Sequence, residues 1–131
     1  MKMESNRNWV RICAVDDIAP LGSRVVRRPR GADVAVFRAE GDAIFAVLDR
    51  CPHRGGALSQ GIVHGHKVTC PLHSWNIALD CGEAVAPDAG CTPSFETRVL
   101  GGEVYLDAAQ LDSIGLDAAP PAWSKLVRLS V

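Results

Sequence analysis

Two short stretches, Cys51-Pro-His53-Arg-Gly-Gly-Ala-Leu58 and Cys70-Pro-Leu-His73-Ser-Trp75, decide how this chain is read. The first sets a histidine two residues after a cysteine, the second sets one three residues after, and the sixteen residues Arg54–Thr69 separate the pairs. Side chains two apart in extended backbone point the same way, and a proline-containing turn brings residues three apart together. Each stretch therefore converges one sulfur and one imidazole, and Cys51, His53, Cys70 and His73 form a four-donor pocket.

Two cysteines and two histidines suit a tetrahedral zinc ion or an iron–sulfur centre. A zinc finger usually draws its cysteine pair from one loop and its histidine pair from another, whereas here each loop mixes the two. That order favours a [2Fe–2S] centre with both thiolates on one iron and both imidazoles on the other. Such a centre carries less negative charge than an all-cysteine cluster, which raises its potential. Gly55, Gly56 and Gly61 either let backbone amides approach the sulfurs or simply permit tight turns.

Outward from the loops, the first half alternates short apolar, β-branched stretches with turn residues: Trp9–Val15, Ser23–Arg28, Asp33–Arg38 and Ala43–Leu48. This is the punctuation of strands and hairpins. Asp33–Arg38 and Ala43–Leu48 flank Gly41-Asp42 and read as the hairpin at the centre of the sheet. Between Cys51 and Cys91 the chain is loop-rich, with brief strands expected near Lys67–Thr69 and Trp75–Ala78. Phe95–Leu100 and Glu103–Asp107, around Gly101-Gly102, read as a closing hairpin that pairs with the first sheet. The fold class is all-β. Residues 1–110 are expected to form one domain, and 111–131 a C-terminal tail, broken by Pro120-Pro121, that packs on the domain or on a partner.

Composition sets the outer bounds. With 131 residues, 47% hydrophobic and 22% charged, the chain can bury one domain's core. A net charge of −1 gives no general attraction to nucleic acid or to an anionic membrane. No apolar run is long enough to span a bilayer, and the opening residues lack the apolar core of a secretory signal, so a cytoplasmic location is expected. In that reducing compartment the five cysteines read as ligands and buried thiols rather than disulfides.

The two loop motifs resemble the Rieske family, and Trp9 to about Leu106 is similar to its ferredoxin-like members. The resemblance implies an antiparallel β-sandwich of small sheets with two cluster-binding loops at one tip. It also implies Cys51 and Cys70 on the inner iron, and His53 and His73 on the outer one. High-potential members carry an additional cysteine in each loop, where this chain has Gly56 and Leu72, and place a serine and a tyrosine where it has Trp75 and Ile77. Fewer hydrogen bonds to sulfur disfavour the reduced, more negative cluster, so a low potential is expected.

The stretch Cys70-Pro-Leu-His-Ser-Trp-Asn-Ile77 followed by Gly82-Glu-Ala-Val-Ala-Pro-Asp-Ala-Gly-Cys91-Thr is most similar to the small subunit of assimilatory NAD(P)H-dependent nitrite reductase. That implies a large flavin- and sirohaem-containing partner subunit that reduces nitrite to ammonium, with this chain as its electron-transfer subunit. The alternative is a free-standing Rieske ferredoxin between a flavin reductase and an oxygenase. No nucleotide-binding glycine fingerprint or catalytic triad is visible, so no independent catalytic site is expected.

Simpler roles suffice elsewhere. Cys13, Cys81 and Cys91 read as small core residues, His64 and His66 as a solvated turn, and Trp75 as packing beside a ligand loop. Ala86-Pro87-Asp88 is a candidate third loop over the cluster. Arg24, Arg27, Arg28 and Arg30 are the one local concentration of charge, a candidate docking patch that strand alternation largely explains.

Overall fold

A computed structural model describes residues 8–52, 56–71 and 74–115. Among the described residues ten strands form three antiparallel sheets: β1 (Trp9–Ala14), β2 (Ser23–Val26), β3 (Val34–Arg38), β4 (Ile44–Leu48), β5 (Ile62–His64), β6 (Lys67–Thr69), β7 (Asn76–Ala78), β8 (Ser94–Phe95), β9 (Thr97–Leu100) and β10 (Glu103–Asp107). The sheet orders are β1-β10-β9, β2-β3-β4-β8 and β5-β6-β7. One helical turn, α1 (Ala108–Leu111), follows β10, with the Asp107 side chain accepting from the Ala109 amide at 2.9 Å. The all-β class, the small antiparallel sheets and the central hairpin agree with the sequence reading.

Strand β3 explains the layering. Val34, Ala35, Val36 and Phe37 are all fully buried, which a strand in the middle of a stack requires, because successive side chains leave opposite faces. Val34 and Val36 join Cys13, Ile44, Ala46, Leu48, Val104 and Leu106 in one core, between the central sheet and β1-β10-β9. Ala35 and Phe37 join Val47, Leu58, Val63, Val68 and Ile77 in a second core, between the central sheet and β5-β6-β7. Full burial of side chains this size stabilises by about 1.5–3 kcal/mol each, so one four-residue run holds both layers.

The β3–β4 turn lies at Glu40–Asp42, with Gly41 at φ 73° and Asp42 at φ 63°. Left-handed backbone is what glycine and aspartate tolerate best, as the Gly-Asp pair indicated. The closing hairpin β9–β10 pairs with β1, while Phe95 splits off as part of β8 on the edge of the central sheet. Strand β5 was not expected from the sequence: Ile62–His64 pairs with β6 around Gly65-His66. Only Val63 of its three residues is buried, so it has no alternation long enough to read.

Beyond α1, Leu111 and Ile114 pack against the first core, so the start of the expected tail belongs to the packed body. The rest of that tail, residues 116–131, lies outside the described residues. Arg28 explains why the chain returns. Its buried guanidinium donates from Nε to the Ala32 carbonyl at 2.9 Å, and from Nη1 to the carbonyls of Leu111 at 3.0 Å and Ile114 at 2.6 Å. It also lies 5.5 Å from the Phe95 ring centroid. Four such partners offset the cost of burying the charge.

Candidate iron–sulfur centre

Register places both cysteine loops at one end of the central sheet. Val26, Val34 and Leu48 are paired across β2, β3 and β4, so Asp49, Arg50 and Cys51 leave the sheet at that end. The β5–β6 turn sits at the opposite end, where the Glu40 amide donates to the Gly65 carbonyl at 3.2 Å. The other end of β6, Thr69 leading into Cys70, therefore points back toward Cys51.

Cys51 and Cys70 are each 1% exposed and belong to the second core. Neither forms a disulfide. The two loops close alike: the Cys51 amide donates to the Gly56 carbonyl at 2.7 Å, and the Cys70 amide to the Trp75 carbonyl at 2.7 Å. Each cysteine thus opens a loop returning five residues later, with its sulfur held among apolar side chains. Two buried thiols presented this way fit the inner, thiolate-bound iron of a mixed-ligand cluster. His53 and His73 lie outside the described residues, as do Arg54, Gly55 and Leu72.

Several supports were not apparent from the sequence. Asp49, 2% exposed, accepts from both the amide and the hydroxyl of Ser59 at 2.7 Å, which ties the exit of the first loop to its entry. Burial pushes its carboxyl up from the ordinary value, against the hydrogen bonds from Ser59. In the second loop, Thr69 donates to Asn76 Oδ1 at 2.5 Å, and His64 Nε2 lies 2.8 Å from the same hydroxyl. These bonds lace β5, β6 and β7 together beside Cys70. The only cue in the sequence was an aspartate two residues before a ligand cysteine.

Gly61 acts through close approach: a Cβ there would lie 2.2 Å from the Thr69 carbonyl oxygen, directly before Cys70. Gly82, at φ 79°, is tighter, with a Cβ position 2.0 Å from the Thr92 oxygen. It starts the segment that folds over the loops. The Thr92 amide donates to the Gly82 carbonyl at 2.8 Å, the Ala84 amide to that of Gly90 at 2.9 Å, and the Val85 amide to that of Asn76 at 2.8 Å. A Cβ built on Gly90 would touch Pro52 at 3.4 Å and Trp75 at 3.7 Å. The candidate third loop, which contains a cis Ala86–Pro87 bond, thus rests on the first and second loops together.

The remaining expectations divide. Cys13 is a core thiol, whose pKa burial raises, but Cys81 and Cys91 are exposed, which corrects their reading as core residues. Gly82 turns the backbone sharply between Cys81 and the ladder, so Cys81 remains at the surface. His64 and His66 are exposed, and His66 stacks on Phe45 with centroids 5.2 Å apart. Trp75 packs against the second core. Arg28 is no docking residue, being buried under the chain's last described turn. Ile77, 0% exposed, has no hydrogen-bond donor on its side chain. Among the described residues no helix is long and apolar enough to cross a membrane.

Two buried cysteines opening matched loops beside small antiparallel sheets suit an iron–sulfur carrier domain. Residues 8–96 match the model of the Rieske [2Fe–2S] domain, and the chain belongs to that family. Its cofactor is a [2Fe–2S] cluster and its role is electron transfer. It is 35% identical to ferredoxin CarAc of Metapseudomonas resinovorans over 104 residues, 77% of this chain and 94% of that one. A chain in the complex of reduced oxygenase and oxidized ferredoxin in carbazole 1,9a-dioxygenase superposes with a TM-score of 0.69 at 34% identity, covering 76% of this chain and 92% of that chain. A protein assigned as the small subunit of an NADH-dependent nitrite reductase from Mycobacterium tuberculosis superposes with a TM-score of 0.68 at 28% identity, covering 77% and 95%.

Proposed function

We propose that Cys51 and Cys70 hold one iron of the cluster, that His53 and His73 hold the other, and that the chain is the electron-transfer small subunit of an NAD(P)H-dependent nitrite reductase. When bound, the cluster takes up and releases one electron at a time. The chain's own residues position it: Asp49 and Ser59 clamp the first loop, Thr69 and Asn76 brace the second, and Pro52, Trp75 and Gly90 pack together beside both. What supports the reading is the superposition on a protein assigned as a nitrite reductase small subunit, at 28% identity and a TM-score of 0.68, together with the resemblance drawn from Cys70–Ile77 and Gly82–Thr92, the second of which passes beside Pro52 and Trp75 at Gly90. Nitrite chemistry belongs to a large flavin- and sirohaem-containing partner, and this subunit alone should not reduce nitrite.

A second reading, a free-standing ferredoxin feeding an oxygenase from a flavin reductase, is favoured by the 35% identity to ferredoxin CarAc. A tagged pull-down from nitrate-grown cells separates the two. Co-elution of a large sirohaem flavoprotein with NAD(P)H-dependent nitrite consumption supports the first. Recovery of an oxygenase or a small flavin reductase without sirohaem overturns it in favour of the second.

A further inference from the structure

The cluster end of the central sheet is electrically polarised. The connection between β2 and β3 leaves the sheet at the end where β4 runs into Cys51, and the Asp49 amide donates to the Asp33 carbonyl at 2.8 Å. That connection carries Arg27, Arg28 and Arg30. Buried Arg28 grips the Ala32 carbonyl from inside, bracing the turn, while Arg27 and Arg30 on either side are exposed. Neither forms an ion pair among the described residues. The nearby acids Asp33 and Asp49 are buried, at 4% and 2% exposure, and Asp33 faces Arg28. Exposed Glu83 and half-exposed Asp88 belong to the segment running into β8, the other edge of the same sheet. The β2 edge is thus basic and the β8 edge acidic, with β4, the strand that runs into Cys51, between them.

We infer that Arg27 and Arg30 form the basic half of the surface on which a redox partner docks, and that they meet an acidic patch on that protein. Fixed, exposed charges next to an electron-transfer centre steer encounter and set orientation more than they add affinity. A net charge of −1 over the whole chain gives no such steering by itself, so the local polarity does. The inference needs only that the chain carries electrons, whichever partner is the physiological one.

The test uses the intact, cluster-loaded protein and two small oxidants of opposite charge, each taking one electron from the reduced cluster: ferricyanide, which becomes ferrocyanide, and hexaammineruthenium(III), which becomes the ruthenium(II) ion. Wild type, the Arg27→Glu/Arg30→Glu pair and the Arg27→Gln/Arg30→Gln pair are reduced and mixed with each in a stopped-flow instrument. Charge reversal should slow ferricyanide severalfold and speed the ruthenium complex, with the glutamine pair intermediate. Raising ionic strength from about 0.01 to 0.15 M should shrink both differences. The reversed pair should also elute from immobilised heparin at lower salt, a readout that does not depend on the cluster. Rates that stay equal, or that shift the same way for both oxidants, overturn the inference; neither outcome bears on nitrite.

Discussion

Val34 and Val36 on one face of β3 enter a core made of strands, closed at its edge by Arg28 and the last described turn. Ala35 and Phe37 on the other face enter a core that also contains Cys51 and Cys70. The first core is built from long ladders, β1 with β10 and β10 with β9. The second rests on three strands of three residues each, stitched by Thr69, Asn76 and His64. The same four-residue run serves both. One face of the central sheet packs mainly against strands, and the other also carries the two cysteine loops, where chemistry is commonly placed on a rigid support.

Substitutions on the two faces should therefore separate structure from cofactor. The largest effect is expected at the ligand cysteines. Cys51→Ser or Cys70→Ser should abolish the cluster's visible absorbance while the β-sheet circular dichroism of the first core persists. Gly82→Ala forces both a positive φ and a contact with the Thr92 oxygen. It should cost about 3 kcal/mol or more and shorten the cluster's lifetime in air, read from the decay of absorbance.

Arg28→Met leaves the carbonyls of Leu111 and Ile114 without their donor. A loss of about 3 kcal/mol is expected, measured by urea unfolding, with the cluster spectrum unchanged. Val36→Ala in the first core should cost about 2 kcal/mol and likewise leave the spectrum alone; a spectral change there would mean that the two cores are not separable. The smallest effect is chemical. Burial raises the Cys13 pKa, so its thiolate, the reactive form, is withheld at neutral pH and gains population only at higher pH. The Cys81 pKa is raised as well, so exposure decides the contrast: iodoacetamide at neutral pH should label exposed Cys81 and Cys91 and spare buried Cys13, as mass spectrometry would show.

What the sequence conveyed followed from local chemistry. The β3–β4 hairpin was legible because β-branched runs flank a Gly-Asp pair, and the cysteine loops because mixed sulfur and imidazole spacing is rare outside a metal site. Strand β5 was not, since a strand with one buried residue has no period to detect. Arg28 was unreadable for another reason: its burial is compensated by carbonyls more than 80 residues away, and no local pattern encodes that pairing. Cys81 and Cys91 resembled core thiols by type, yet both are exposed, Cys81 directly before the sharp turn at Gly82. Asp49 is held by Ser59, ten residues on, a pairing that no local pattern marks.

The central claim is a cluster held by two sulfurs and two imidazoles. Pulsed electron paramagnetic resonance on the dithionite-reduced protein tests it most directly. Two nitrogens strongly coupled to the reduced iron are expected, with His53→Cys or His73→Cys each removing one. A colourless protein loaded with zinc, or an iron centre without nitrogen coupling, would contradict the account.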